Sequence, residues 1–240
     1  MNNFTYSVPT KIHFGKGQIS HLYELSESGN KVLLCYGGGS IKKAGIYDEA
    51  VKILKEEDME IFELSGIAPN PKIESVREGV KLCKENDIDM VLAIGGGSVI
   101  DCAKVVAAGA CYDGDPWDLV ITPRWIKKAL PIYSVLTLSA TGSEMDPFAV
   151  ISDMSKNEKW GTSSEHMKPK MSILDPEYTY SVSKKQTAAG TADMISHICE
   201  NYFTNVKNAD VQARFAEGLL KNCFKYGPIA LEEPDNYDAR

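Results

Sequence analysis

No stretch of this sequence holds the roughly 18–20 consecutive apolar residues that a membrane helix needs. The polar, alternating segment Met1–Phe14 lacks the features of a signal peptide. The 26 lysines and arginines, set against 33 acidic residues, form no cluster, and a formal charge of −7 is spread along the chain. A nucleic-acid partner is therefore disfavoured. Cys35, Cys83, Cys102, Cys111, Cys199 and Cys223 make no CxxC pair and no disulfide framework. Reduced, buried thiols in a cytoplasmic protein are the simple expectation. Internal repeats and low-complexity segments are missing too. What remains is ordinary globular composition, 43% apolar and 25% charged, over 240 residues. That is enough for one large domain or two small ones.

Within it, short apolar runs alternate with helical patterns. Lys31–Tyr36, Glu60–Leu64, Met90–Ile94, Ile132–Leu136, Ala149–Ser152 and Met171–Leu174 read as strands. Several are apolar throughout, which marks strands covered on both faces. Helices are expected around Gln18–Ser26 and over Tyr47–Glu57, Ile73–Asn86 and Val99–Ala110. Residues Met1–Phe14 suggest short strands, with an edge hairpin broken by Pro9. The expected fold is α/β: a Rossmann-like parallel sheet with helices on both faces. Beyond Lys184 only helical texture continues, at Gln186–Phe203 and Asp210–Cys223. The domains are thus expected at 1–178, a dinucleotide-binding α/β domain, and 179–240, the start of an all-helical one.

Two glycine clusters end strands of this sheet, where open parallel sheets bind ligands. In Gly95-Gly96-Gly97-Ser98 the missing Cβ atoms let backbone N–H groups approach a ligand. Ser98 and Asp101 have the spacing of a helix-capping pair, and the helix start would favour a pyrophosphate. A tight strand-to-helix turn that binds nothing needs fewer glycines. The second cluster, Gly37-Gly38-Gly39-Ser40, follows the first strand of a βαβ unit, where an adenine ribose would lie. No acid follows until Asp48, whereas Ser40, Lys42 and Lys43 suit a 2′-phosphate. NADP(H) is therefore expected in preference to NAD(H).

Asp193 and His197 stand four apart in a helical pattern, so both project from one face. Such a pair can share a divalent metal, or form an ordinary salt bridge. Nothing in the spacing of His13, His21 and His166 recommends them as partners.

Three ordered motifs carry a family resemblance: GGGSVIDCAK from Gly95, LTLSATGSEM from Leu136, and GTADMISH from Gly190. They resemble the iron-containing (group III) alcohol dehydrogenases, in the branch of the butanol dehydrogenases and NADPH-dependent aldehyde reductases. The resemblance implies that Gly95–Ser98 hold the pyrophosphate and that Thr137, Leu138 and Thr141 line the nicotinamide side. It also puts Lys159 near the ribose, Asn70 in the adenine-side cleft, and Asp193 and His197 on the metal, Fe2+ or Zn2+. A hydride would pass between NADP(H) and a primary alcohol or aldehyde. The family completes its metal site with two later histidines, whereas His197 is the sole histidine of 188–240. The chain is thus expected to stop in mid-domain, with an apolar helical face left uncovered. The alternatives are a glycerol-dehydrogenase-like or dehydroquinate-synthase-like member of the superfamily, and a nucleotide-binding fragment without turnover. An edge strand near the N-terminus leaves a homodimer open.

Overall fold

The computed structural model describes Asn3 and residues 5–240. Six parallel strands form the main sheet: β1 (Lys11–Phe14), β2 (Lys31–Tyr36), β3 (Glu60–Leu64), β4 (Met90–Gly95), β5 (Ile132–Leu136) and β8 (Met171–Leu174). Their order is β1-β8-β5-β4-β2-β3. From β2 the chain steps outward to β3, then crosses to the other side of β2 to lay down β4. The β2/β4 pair is thus the point at which the winding reverses, in register Val32–Met90 through Tyr36–Ile94.

Period-two alternation decides which side chains face which layer. Leu33, Cys35, Val91 and Ala93 enter one core with α3 (Ile73–Asn86), α4 (Gly97–Ala110) and α5 (Pro116–Ile121). Val32, Leu34, Met90 and Leu92, equally buried, point the opposite way. That second face belongs to α2 (Ile46–Glu56) and to a 3-10 helix at Gln18–Ser28. A short α1 (Ser40–Lys43) precedes α2. The α/β reading with helices on both faces holds.

Two local expectations change. The strand expected at Ala149–Ser152 exists, as β6 (Phe148–Asp153), but it stays out of the parallel sheet. It pairs antiparallel with β7 (Glu158–Ser163). The Asn157 turn, at φ 54, lets the chain double straight back. No hairpin forms at the N-terminus among the described residues: Lys11–Phe14 runs parallel to Met171–Leu174 as the edge strand. The part of that expectation falling on Met1, Asn2 and Phe4 lies outside the described residues.

The chain divides into two compact units. Val8–Thr137 with Gly142–Asp175 makes the sheet unit. Leu138–Thr141 and Pro176–Arg240, with the described residues before Val8, make the other. The latter holds α6 (Lys184–Tyr202) packed on α7 (Asp210–Glu232), which continues beyond Cys223 and through Pro228. Along α7, Val211, Phe215 and Leu219 recur at intervals of four and are each more than half exposed, an uncovered apolar stripe. No helix among the described residues is long and apolar enough to cross a membrane.

Helix α4 lies so near its neighbours that a Cβ on Gly79 of α3 would come 2.6 Å from Val106 and 2.9 Å from Leu64. Gly79→Ala is therefore expected to destabilise the protein by about 1–3 kcal/mol through overpacking. Urea unfolding of the two proteins measures this, and an unchanged midpoint would show that α3 can retreat without cost.

Candidate functional site

The carboxyl ends of β2, β4 and β5 bring together most of the residues singled out above. Gly95 ends β4 and accepts a hydrogen bond from the amide of Thr137, at 3.0 Å, just past β5. Gly37, just past β2, is tied by its carbonyl to the amide of Gly66, at 3.2 Å. That contact draws the loop Gly66–Asn70 over the sheet edge. Asn70 takes the left-handed conformation (φ 54), donates its amide to Ser98 Oγ at 3.3 Å, and accepts from Lys159 Nζ at 2.7 Å. Asn70, Ser98 and Lys159, far apart in sequence, thus form one cluster beside the glycine loop.

The two loops differ in what their glycines do. A Cβ on Gly95 would lie 2.6 Å from the Val99 side chain, so this glycine lets α4 turn tightly off β4. Gly96 has φ −87 and ψ −174, a conformation open to any residue, and is only half-buried. In the other loop, Gly39 sits at φ 100 with open space around it, and Gly38 is equally open. Ser40 then starts α1, without capping it. Lys42, expected to favour a 2′-phosphate, turns elsewhere. Its ammonium lies 4.8 and 4.2 Å from the ring centres of Tyr36 and Tyr47, and 3.8 Å from Glu63. Glu63 accepts from both phenols, and its bond to Tyr47 pushes that phenol up to about 12.

The expected capping pair does not form. Gly96 occupies the cap position and Ser98 lies inside the first turn of α4. Asp101 instead accepts from Ser143 Oγ at 2.6 Å and from the amide of Val150 at 2.9 Å. Burial pushes its carboxyl above the usual range. One turn on, Lys104 is fully buried and donates to Ser143 Oγ, Asp146 Oδ1 and the carbonyls of Asp146 and Phe148, at 2.8–2.9 Å. Burial lowers its pKa, and Asp146 opposes the shift. These two side chains bind the Thr-Gly-Ser-Glu-Met loop and β6 to α4. Sequence reasoning gave Lys104 no role and made Asp101 a capping residue of the cofactor loop. An acid and a base three apart on an otherwise apolar helix were the available signal.

In the helical unit, Leu138 and Ser139 line a cavity of about 280 Å³ with Thr187, Thr191, Met194 and Tyr226. A Cβ on Gly190 would lie 3.2 Å from the Ser139 carbonyl, so that glycine lets α6 approach the 138–141 segment. Thr141 of this segment is exposed. Asp193 and His197 do share a face of α6, with Oδ1 and Nε2 3.8 Å apart and both side chains nearly half exposed. As donors they suit a divalent metal. Among the described residues no third histidine, cysteine or carboxylate joins them.

The model of the iron-containing alcohol dehydrogenase family matches residues 9–176. The chain belongs to this family. Over its full length it is 57% identical to the NADH-dependent butanol dehydrogenase A of Clostridium acetobutylicum, spanning 62% of that protein. It is 45% identical to the NADPH-dependent aldehyde reductase YqhD of Escherichia coli, again spanning 62%. The crystal structure of the NADH-dependent butanol dehydrogenase A of Thermotoga maritima superposes with a TM-score of 0.96 at 46% identity. The match covers all of this chain and 60% of that one. As a member of this family, the chain spans about 62% of the length of the curated relatives it matches.

Loss of the Lys104 ammonium would leave two carbonyls without their donor and Asp146 with the amide of Phe148 in place of a cation. Lys104→Met is expected to cost about 3–5 kcal/mol, the scale for breaking a buried pair, as read by urea unfolding. A loss below about 1 kcal/mol would mean that water replaces the ammonium there.

Proposed function

We propose that this chain is the nucleotide-binding part of an enzyme that moves a hydride between NAD(P)(H) and a primary alcohol or aldehyde. The observation that carries this reading is the gathering of Gly96–Ser98, Asn70 and Lys159 at the point where the sheet's winding reverses. There the start of α4 offers backbone N–H groups and the positive end of a 14-residue helix to a pyrophosphate. Lys159, held by Asn70, adds a fixed positive charge beside the ribose. Gly37–Ser40 leave room for the adenine ribose, and Thr137, Leu138 and Thr141 serve the nicotinamide end. Asp101 acts through the loop it holds. The relatives named above work with NADH or with NADPH, and primary alcohols and aldehydes are the substrate class we assign. The edge position of β1 leaves a homodimer open to pairing there.

Asp193 and His197 are proposed as the first two ligands of an iron or zinc ion, which when bound supplies a Lewis acid for the substrate oxygen. Two donors are half of a four-coordinate shell. On these 240 residues alone the pair is expected to hold metal weakly, and nucleotide binding without turnover is the corresponding reading.

The preference between cofactors is set by a short list. Ser40 and Lys43, with no acid in the loop, favour a 2′-phosphate, but Lys42 is engaged by Glu63 and two tyrosines. NADPH is therefore expected to bind tighter than NADH by only about threefold, roughly 0.6 kcal/mol. A fluorescence titration giving NADH the higher affinity would overturn this assignment. Because the backbone at Gly96 suits any residue, Gly96→Val tests ligand clearance without backbone strain. It is expected to abolish binding of both cofactors, and undiminished affinity would remove this loop from the site.

For the metal, His197→Ala is expected to leave the metal content of the 240-residue chain unchanged. Joined to a downstream helical segment with two histidines, as the family resemblance implies, the chain should hold one further ion tightly and reduce butanal, and His197→Ala should then abolish both that ion and the turnover. Elemental analysis showing that His197→Ala removes a tightly held ion from the 240-residue chain would refute the half-site.

A further inference from the structure

Strand β1 and the 3-10 helix after it set His13, His21 and Glu24 side by side. Gly15 and Gly17, at φ 121 and 73, reverse the chain so that the helix folds back beside the strand. His21 and Glu24 are three apart, the spacing at which 3-10 side chains eclipse. Glu24 Oε1 lies 3.0 Å from His13 Nε2 and 3.2 Å from His21 Nδ1. One donor atom from each of the three residues lies within 4.8 Å of the others. The two imidazoles are stacked, with centres 3.6 Å apart and planes 10° from parallel. All three side chains are largely covered, at 16, 31 and 13% exposure for His13, His21 and Glu24.

Two features bear on what this group can hold. His13 Nε2 is sealed from solvent and, although close to the carboxylate, is not aligned to hydrogen-bond with it. His21 Nδ1 shares a hydrogen bond with Glu24 Oε1, at 3.2 Å, which an ion bound among the three would replace. The spacing is also apt. Bonds of about 2.0–2.1 Å to a tetrahedral ion put its ligand atoms about 3.3–3.4 Å apart. Both distances to Glu24 are within a few tenths of an ångström of that, and one imidazole must swing out of the stack for both nitrogens to face the ion. Lys11 Nζ takes the other carboxylate oxygen at 2.7 Å, which fixes the orientation of Oε1.

We propose that His13, His21 and Glu24 bind a divalent transition-metal ion, zinc by the nature of the donors, with water as fourth ligand. Two imidazoles and one carboxylate favour zinc over magnesium or calcium, which prefer shells of oxygen. The ion fastens the edge strand β1 to the helix beside it. It is a structural clamp, independent of Asp193 and His197.

Zinc chloride alone, titrated into the metal-stripped protein by calorimetry, is expected to bind at one equivalent with micromolar or tighter affinity. It should raise the thermal midpoint, because only the folded chain brings the three donors together. Magnesium chloride should do neither. His13→Leu and Glu24→Gln should each weaken zinc binding by more than the roughly tenfold typical of losing an outer-shell partner, and should abolish the thermal shift. Glu24→Gln keeps the side-chain volume, and a metal-free midpoint near that of the parent separates lost ligation from lost fold. His197→Ala should leave zinc binding intact, whatever becomes of the proposed enzymatic function. The proposal is overturned if no saturable binding occurs, if both N-terminal variants bind like the parent, or if only His197→Ala removes the zinc.

Discussion

The candidate cofactor site depends on how closely α4 can lie against β4 and α3. Three glycines set that distance: Gly95 beneath Val99, Gly79 beneath Val106, and Gly109 beneath Val80. Alanine and valine fill the rest of the helix, and almost none of it reaches solvent. A helix so deep can bear polar groups only where they are paired. Asp101 and Lys104 are its two charged residues, and both are spent on one loop. The close packing and the buried ionic contacts are one arrangement, since the same proximity that excludes water brings Ser143 and Asp146 within reach.

Much of the fold is legible in the residues, for a physical reason. Strands buried on both faces need uninterrupted apolar runs, and Lys31–Tyr36 and Met90–Gly95 declare themselves as such. The glycine runs that follow mark the ends where loops must leave the sheet. Pairing partners are less visible. Ala149–Ser152 carries the same β signal whether it enters the large sheet or, as here, doubles back on Glu158–Ser163. The decision lies in the Asn157 turn. Helix α5 escaped notice although Asp115-Pro116 is a strong start signal; Asp115 caps it and pairs with Arg77.

Among site residues, those read from local pattern lie where strand ends must be. The Asn70–Lys159 contact comes from family resemblance, and no spacing in the sequence foretells it. The capping role given to Ser98 and Asp101 failed because glycine takes the cap and the acid has a better partner across the loop. Lys42 is instructive in the same way. Its charge is visible in the sequence, but the two tyrosines and the glutamate that occupy it come from other elements. His13 and His21 had nothing in their spacing to recommend them, since a strand and a 3-10 helix separated by two left-handed glycines obey no single period.

The pairing of β1 with β8 has a consequence for how the chain is made. Lys11 meets Met171, so β1 leaves the ribosome well before its neighbour and finds it only after most of the sheet unit has been synthesised. Closing so long a loop is entropically costly, and contacts of this kind form late in folding. During synthesis, β2 to β5 are expected to assemble first, around the winding reversal, while β1 waits as a tethered segment. Once β8 has docked, its outer edge stays open to any extended chain until β1 arrives. In this sheet the strand made earliest is expected to be finished last.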